Sequence, residues 1–137
     1  MYELSVLSHF AAAHQIRCLQ GKCEGLHGHN WKIEVMVASR GLGKEGIVID
    51  FGVLKQKVEN VIRTLDHAYL NDLPYFLKRE PSSENIATYI FDALKKEFKG
   101  RKVTLKRVTA WESETACARV TTGPMAQDPL YTLACGR

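Results

Sequence analysis

The chain of 137 residues lacks long hydrophobic runs, since no apolar stretch approaches the roughly 20 residues that span a bilayer. The beginning of the chain also lacks the pattern of a secretory signal. Glu3 and His9 stand where such a signal needs a basic start followed by an unbroken apolar segment. We therefore expect a cytoplasmic protein that makes no membrane contact.

Cysteine is scarce and irregularly spaced. Cys18, Cys23, Cys117 and Cys135 include no CxxC pair, so we expect reduced thiols and no disulfide framework. Core packing is the expected role of Cys117 and Cys135. The sequence also lacks dense Lys/Arg blocks, and its net charge of +4 is spread along the chain. This distribution favours an anionic small molecule as the ligand and argues against nucleic-acid binding.

The first half of the chain predicts two strands and a helix. Residues 2–13 read as a strand, and strict alternation over HGHNWKIEVMVAS at 27–39 predicts a second, half-buried strand. Residues 47–49 suggest a short extended piece after a glycine-rich turn. Asp50 is a suitable cap for an amphipathic helix, whose apolar stripe is formed by Leu54, Val58, Val61, Ile62 and Leu65.

The second half predicts a helix and a hairpin. Pro81, Ser82, Ser83 and Glu84 are typical of a helix start, and apolar spacing continues the helix to Gly100. Residues 103–111 and 115–122 are rich in Val, Thr and Ala and predict a second hairpin. The expected order is β-β-α-α-β-β, an α+β fold over 1–122. Residues 123–137 form a C-terminal extension of unknown role.

Two histidines begin the second predicted strand. Because side chains at i and i+2 of a strand project to one face, His27 and His29 can share a metal ion. Catalytic zinc takes three protein ligands and keeps a fourth position for water or substrate. His14 ends the neighbouring strand, where antiparallel pairing would place it beside the other two. The pattern predicts a Zn²⁺ site formed by His14, His27 and His29.

Cys23 precedes His27 by four residues in a glycine-rich loop, so its sulfur could lie near the metal. A nearby cation favours the thiolate, which is a usable base or nucleophile. A closed structural site formed by Cys18, Cys23, His27 and His29 is the weaker interpretation, because zinc fingers space their histidines by three to five residues on a helix.

Acidic residues provide further candidates. Asp66 and His67 follow the first helix, and such a carboxylate–imidazole pair can donate or accept protons, although the dipeptide alone is weak evidence. Glu112 and Glu114 stand at the corner of the second hairpin, where Glu114 is better explained as a solvated turn residue.

Six motifs in order carry a resemblance to a known family. They are FAAAH at 10–14, CEGLHGHNW at 23–31, IVIDF at 47–51, LDHAYLND at 65–72, PSSENIA at 81–87 and the Glu112 corner. Together they resemble the 6-pyruvoyl-tetrahydropterin synthase and 6-carboxy-tetrahydropterin synthase family, nearly throughout the sequence up to about Val120. The resemblance implies the tunnelling fold (T-fold), a four-stranded antiparallel sheet with two helices on one face. It also implies a homohexamer built as a dimer of trimers.

The resemblance further implies the substrate 7,8-dihydroneopterin triphosphate and the roles of individual residues. His14, His27 and His29 match the zinc ligands, and Cys23 matches the catalytic base. Asp66 and His67 match the proton relay, and Glu112 matches the carboxylate that anchors the pterin, with Ser82 and Ser83 as supporting residues.

The product branch depends on the string CEGLHGH. The three residues between Cys23 and His27 resemble the 6-carboxy-tetrahydropterin synthases of queuosine biosynthesis, which release acetaldehyde and triphosphate. Glu24 instead resembles a subgroup that forms 6-hydroxymethyl-dihydropterin for folate, and 6-pyruvoyl-tetrahydropterin formation is a further alternative. We expect the carboxy product, with a folate-type side activity possible.

Two functions outside this family fit parts of the pattern. Carbonic anhydrases also bind zinc through an H-x-H strand and a third histidine, but carbon dioxide hydration would need neither Cys23 nor Glu112. A structural zinc module that binds a protein partner would use four protein ligands, including Cys18 or Cys23.

Overall fold

The computed structural model describes residues 1–17 and 24–122. It has an α+β architecture, as predicted, with one more short strand than expected. Two 3₁₀ turns, Leu70–Asp72 and Pro74–Phe76, lie between the third strand and the second helix. The strands and helices are β1 (Tyr2–His14), β2 (His27–Ser39), α1 (Phe51–Ile62), β3 (Ala68–Tyr69), α2 (Ser83–Phe98), β4 (Thr104–Trp111) and β5 (Cys117–Thr121).

The strands form one mixed sheet in the order β3-β1-β2-β4-β5. Four strands pair antiparallel, as predicted, whereas β3 runs parallel to β1 with Ala12 opposite Ala68. The prediction of four strands was therefore one strand short. β3 is only two residues long, and its pairing follows from contacts of Asp66 and His67 with Ala11. No local alternation encodes that pairing.

One face of the sheet packs against both helices and forms the core. α1 contacts β1, while α2 contacts β4 and β5, and the two helices touch each other. Phe10 on β1 lies opposite Trp31 on β2, with the rings stacked at 5.3 Å between centroids. The buried residues of the predicted helix stripes are Leu54, Val58 and Ile62 of α1 and Ile86, Ala87, Ile90, Phe91, Leu94 and Phe98 of α2. Val61 is only half-buried, and the buried Leu65 lies beyond the end of α1, which is shorter than predicted. Neither helix is long and apolar enough to cross a membrane.

Helix starts follow the predicted capping chemistry. Asp50 accepts a hydrogen bond from the backbone N–H of Val53 at 3.1 Å, and Ser82 accepts one from Asn85 at 3.2 Å. Each cap satisfies a backbone donor that the first helical turn leaves free.

Two smaller predictions were wrong. Residues 47–49 form no strand; the backbone N–H of Gly43 donates to the Ile47 carbonyl in a loop. Cys117 does not pack in the core but is exposed, because it shares its side of edge strand β5 with the exposed Arg119. Cys18, Cys23, Cys135 and the extension 123–137 lie outside the described residues.

Candidate metal centre

The register between β1 and β2 brings three histidines together at one end of the hairpin. His14 lies directly opposite His27, and His29 lies opposite Ala12. These side chains continue the row that carries Phe10 and Trp31, because alternate residues of a strand share a face. The Trp31 ring lies edge-on to His14 and His29, at 4.9 and 5.0 Å between centroids. The buried Trp31 thus joins two of the three imidazoles to the core.

Glu112, one residue beyond β4, completes a compact group of four donors. The Nε2 atoms of His14 and His27 lie 2.9 Å apart. The Glu112 Oε1 atom lies 2.9 Å from His29 Nε2 and 3.6 Å from His14 Nε2. One ligand atom from each of the four residues lies within 4.8 Å of every other, so the group could hold a metal ion.

Backbone carbonyls orient two of the imidazoles. His14 Nδ1 lies 2.7 Å from the Pro81 carbonyl oxygen, and His27 Nδ1 lies 2.7 Å from that of Gly25. Because a carbonyl only accepts, each Nδ1 carries the hydrogen, and in the neutral rings each Nε2 presents a lone pair. Two lone pairs 2.9 Å apart repel each other unless a cation lies between them. A hydrogen bond from the second ring nitrogen to a carbonyl, as His14 and His27 make here, is typical of metal-binding histidines.

His29 has a different environment. Its Nε2 atom is buried without a hydrogen-bond partner, and the 2.9 Å approach to Glu112 lacks hydrogen-bond geometry. Burial lowers the pKa of His29 below 6.5, and the neighbouring His14 and His27 lower it further, against the opposing effect of Glu112. Burial therefore favours the neutral ring, whose buried Nε2 lacks a hydrogen-bond partner. A divalent ion that accepts nitrogen ligands would satisfy it, so these residues fit zinc.

Glu24 lies at the rim of the group. Its Oε1 atom is 3.9 Å from His27 Nε2, and its Oε2 atom accepts a hydrogen bond from Ile16 N at 3.2 Å. The backbone N–H of Glu24 also donates to the Ile16 carbonyl. These contacts join Ile16 to Glu24, the residue that follows Cys23 in the sequence. Cys23 itself, the predicted base, lies outside the described residues.

Ser82 and Ser83 line a cleft beside His14, together with Glu112 and Cys117. The Ser82 hydroxyl already caps α2, whereas the Ser83 hydroxyl is buried without a partner. The structure therefore brings the predicted pterin-binding residues next to the predicted metal ligands.

Asp66 and His67 occupy the edge of β1. Asp66 accepts a hydrogen bond from Ala11 N at 3.0 Å, and its other carboxylate oxygen lies 3.0 Å from His67 Nδ1. His67 has a positive φ of 56°, which is uncommon outside glycine, and its side chain is 83% exposed. It lines a second cleft with Ala11, Gly28 and His29. Within the described residues, this pair makes no ion pair with the four-donor group.

Some contributors were missed by reasoning from the sequence. The carbonyls of Pro81 and Gly25 have no residue-type signal, since every residue has a carbonyl. Arg17 holds the segment before Pro81: its guanidinium donates to the Leu77 and Arg79 carbonyls at 2.9 Å, and it pairs with Glu80 at 3.2 Å. An isolated arginine in a loop gives no indication of this role.

Comparison with known proteins adds independent information. The family model of 6-pyruvoyl tetrahydropterin synthase matches residues 3–123. The protein is 40% identical over 103 residues to a dihydroneopterin monophosphate aldolase of Pyrococcus furiosus, covering 75% of this sequence and 82% of that one. It is 46% identical over 90 residues to a 6-carboxy-5,6,7,8-tetrahydropterin synthase of Synechocystis, covering 62% and 68%. The 6-pyruvoyl tetrahydropterin synthase structure of Caenorhabditis elegans superposes with a TM-score of 0.78 at 27% identity, covering 89% of this sequence and 96% of that one.

Proposed function

This protein belongs to the 6-pyruvoyl tetrahydropterin synthase family and is a lyase of the pterin-synthase type, and from that premise we propose its reaction. The proposed reaction converts 7,8-dihydroneopterin triphosphate and water to 6-carboxy-5,6,7,8-tetrahydropterin, with release of acetaldehyde and triphosphate, in queuosine biosynthesis. The observation that carries this proposal is the convergence of His14, His27 and His29 beside a cleft lined by Ser82, Ser83 and Glu112.

The three histidines would hold Zn²⁺. When bound, the ion would polarise the side-chain hydroxyls of the substrate and acidify the adjacent C–H bonds. The carbonyls of Pro81 and Gly25 keep hydrogens on the Nδ1 atoms of His14 and His27, so both rings are oriented before a ligand arrives. This arrangement reduces the reorganisation that binding would require.

Pterin recognition is proposed for Glu112, with support from the two serines. A carboxylate has two acceptor oxygens, which suit the adjacent amino and ring N–H groups of a pterin. The Ser83 hydroxyl has no partner among the described residues, so it is free to hydrogen-bond a ligand in the cleft. The residues proposed to bind the pterin ring would then line the same cleft as His14, one of the proposed metal ligands.

Proton transfer is proposed for Cys23, with Asp66 and His67 as a relay. The thiolate of Cys23 would remove a proton from the substrate's three-carbon tail as that tail undergoes internal redox and the substrate loses triphosphate. The Asp66 carboxylate, 3.0 Å from His67 Nδ1, keeps a hydrogen on that nitrogen in the neutral ring and leaves Nε2 to exchange protons. We also propose a cytoplasmic homohexamer, which is consistent with the family.

A second candidate function is a retro-aldol cleavage that forms 6-hydroxymethyl-dihydropterin. It is favoured by the position of Glu24, 3.9 Å from His27 Nε2, and by the aldolase among the relatives. In this reaction a base removes a hydroxyl proton from the substrate's tail, and the bond between its first and second carbons breaks. The outer two carbons leave as a phosphorylated aldehyde, and the carbon that stays on the pterin gains a proton. Cys23 would then not be required as the base.

Product identification distinguishes these functions. We expect zinc-loaded protein incubated with 7,8-dihydroneopterin triphosphate to yield 6-carboxy-tetrahydropterin and acetaldehyde, identified by mass spectrometry. Cys23→Ala should lower this activity at least ~100-fold, in the range of a lost acid–base group, and Glu24→Ala should largely retain it. Glu45→Ala, at an exposed loop carboxylate, is the matched control for Glu24.

The opposite pattern would reverse the assignment. If Glu24→Ala loses the main product while Cys23→Ala keeps it, and if that product is 6-hydroxymethyl-dihydropterin, the protein is an aldolase with Glu24 as its base. If no pterin product forms at all, the proposed reaction is wrong.

A further inference from the structure

We propose that Glu112 is a fourth ligand of the resting metal and that it leaves the metal to bind the pterin ring when the substrate enters. This inference rests on the proposed function, and it concerns the order in which one carboxylate performs two tasks. It makes the opening of the metal centre depend on recognition of the pterin ring.

The spacing of the donor atoms supports the first task. Ligands at about 2.0–2.2 Å from a tetrahedral zinc lie roughly 3.3–3.6 Å from one another. Glu112 Oε1 lies 2.9 Å from one imidazole Nε2 and 3.6 Å from another, and the two closest imidazole nitrogens are 2.9 Å apart. All four donor atoms lie within 4.8 Å of one another. The 3.6 Å separation falls in this range and the two 2.9 Å separations lie about 0.4 Å below it, so the carboxylate oxygen is close to the position of a fourth ligand.

The contact between Glu112 and His29 also fits a shared metal ion. Since it lacks hydrogen-bond geometry, the buried His29 Nε2 gains no donor–acceptor bond from the nearby carboxylate. The two atoms thus lie 2.9 Å apart with no hydrogen bond between them. A metal ion held by both atoms would give each of them a partner.

The second task follows from the position of Glu112 in the fold. Its backbone N–H donates to the Ala116 carbonyl at 3.1 Å, so the main chain is fixed at the corner of the β4–β5 hairpin. Its side chain is 36% exposed and faces the cleft that Ser82 and Ser83 also line. The carboxylate can therefore turn from the metal to the cleft by side-chain rotation alone.

Coordination of the resting metal by Glu112 would have a chemical consequence. Zinc with four protein ligands has no open position, whereas a catalytic site keeps one for water or substrate. If the pterin ring draws Glu112 away, a coordination position opens only when the ring is bound. Compounds that carry hydroxyl groups but no pterin ring would then gain poor access to the metal.

Cobalt substitution provides a test that does not depend on turnover. The 137-residue protein is loaded with Co²⁺, and its visible absorption reports the ligand set. The probe is 6-methylpterin, which carries the ring but no side-chain hydroxyl to ligate the metal, and its own fluorescence reports its binding. In the unmodified protein, we expect saturating 6-methylpterin to change the cobalt spectrum.

Substitutions at the corner of the β4–β5 hairpin provide the test variants and their control. Glu112→Gln and Glu112→Ala should change the resting spectrum, abolish the response to 6-methylpterin and weaken metal binding at least about tenfold. Glu114→Ala removes the exposed carboxylate two residues along and should behave like the unmodified protein.

Distinct results separate the possible failures. Identical cobalt spectra and affinities for the unmodified protein and both Glu112 variants would overturn the ligand role while leaving the proposed function intact. If the fluorescence of 6-methylpterin shows that it binds but the cobalt spectrum stays unchanged, the proposed release of Glu112 from the metal is wrong. Cobalt affinity that His27→Ala does not reduce would instead contradict the metal site of the proposed function.

Discussion

Asp66 shows how one residue can join distant parts of the sequence. Its carboxylate accepts the N–H of Ala11, 55 positions earlier in the sequence, and contacts the ring of the adjacent His67. The hydrogen bond from Ala11 is the main reason why the pKa of Asp66 lies below its ordinary value of 3.8; desolvation opposes this shift, and His67 adds to it. The ionised form therefore stabilises the folded state.

This shift predicts a pH dependence of stability. Because the folded-state pKa is depressed, the contribution of Asp66 is fully present above about pH 4 and is lost as the pH falls through the lowered pKa. Asp66→Asn should therefore be less stable by a constant amount from about pH 7 to about pH 5, with the difference shrinking below about pH 4. Urea unfolding measures this difference in the free energy of unfolding, and a chelator is present so that metal binding does not contribute. A difference between the two proteins that stays constant down to about pH 3 would contradict this explanation.

At the scale of elements, the start of α2 both stabilises the helix and forms a wall of the cleft. Ser82 caps the helix through Asn85, and the preceding Pro81 carbonyl orients His14. Ser83 faces the same cleft with a hydroxyl that has no partner among the described residues. One short segment thus connects helix stability, ligand orientation and the proposed substrate pocket.

The two serines form a matched pair for mutation. Ser82→Ala should destabilise the protein by about 1 kcal/mol, the usual cost of a lost N-cap. Ser83→Ala should change stability by less than about 0.5 kcal/mol, because it removes no hydrogen bond within the described residues. Denaturant unfolding followed by circular dichroism measures both. Equal destabilisation by the two variants would show that the cap does not contribute as expected.

At the scale of the whole molecule, the candidate metal centre links three strands. Its donors come from the end of β1, the start of β2 and the residue after β4, which are brought together only by folding. A metal that binds this group, and not the unfolded state, must stabilise the fold.

Metal removal should therefore lower thermal stability. Free zinc at about 100 times its Kd should stabilise the unmodified protein by about 2.7 kcal/mol, and a chelator should reverse this gain. His27→Ala should show little of either effect, because it removes one of the proposed ligands. Scanning calorimetry with and without zinc measures the shift in Tm. A shift of the same size in His27→Ala would mean that zinc binds elsewhere.

The sequence by itself determined the elements whose signals are local. Alternation over 27–39 predicted β2 and put His27, His29 and Trp31 on one face, while Asp50 and Ser82 marked the helix starts that are observed. Each of these predictions depends on residues within a few positions of one another, where strand and helix periodicity directly decide which side chains share a face.

Only the tertiary structure decided the contacts between distant segments. The contact between the Pro81 carbonyl and His14 spans 67 positions, and Glu112 reaches His29 from the residue after β4. The short β3 and the exposure of Cys117 likewise depend on where strands lie in the finished sheet. Such contacts are set by the packing of the sheet and helices around one core, and no local pattern of residue types records them.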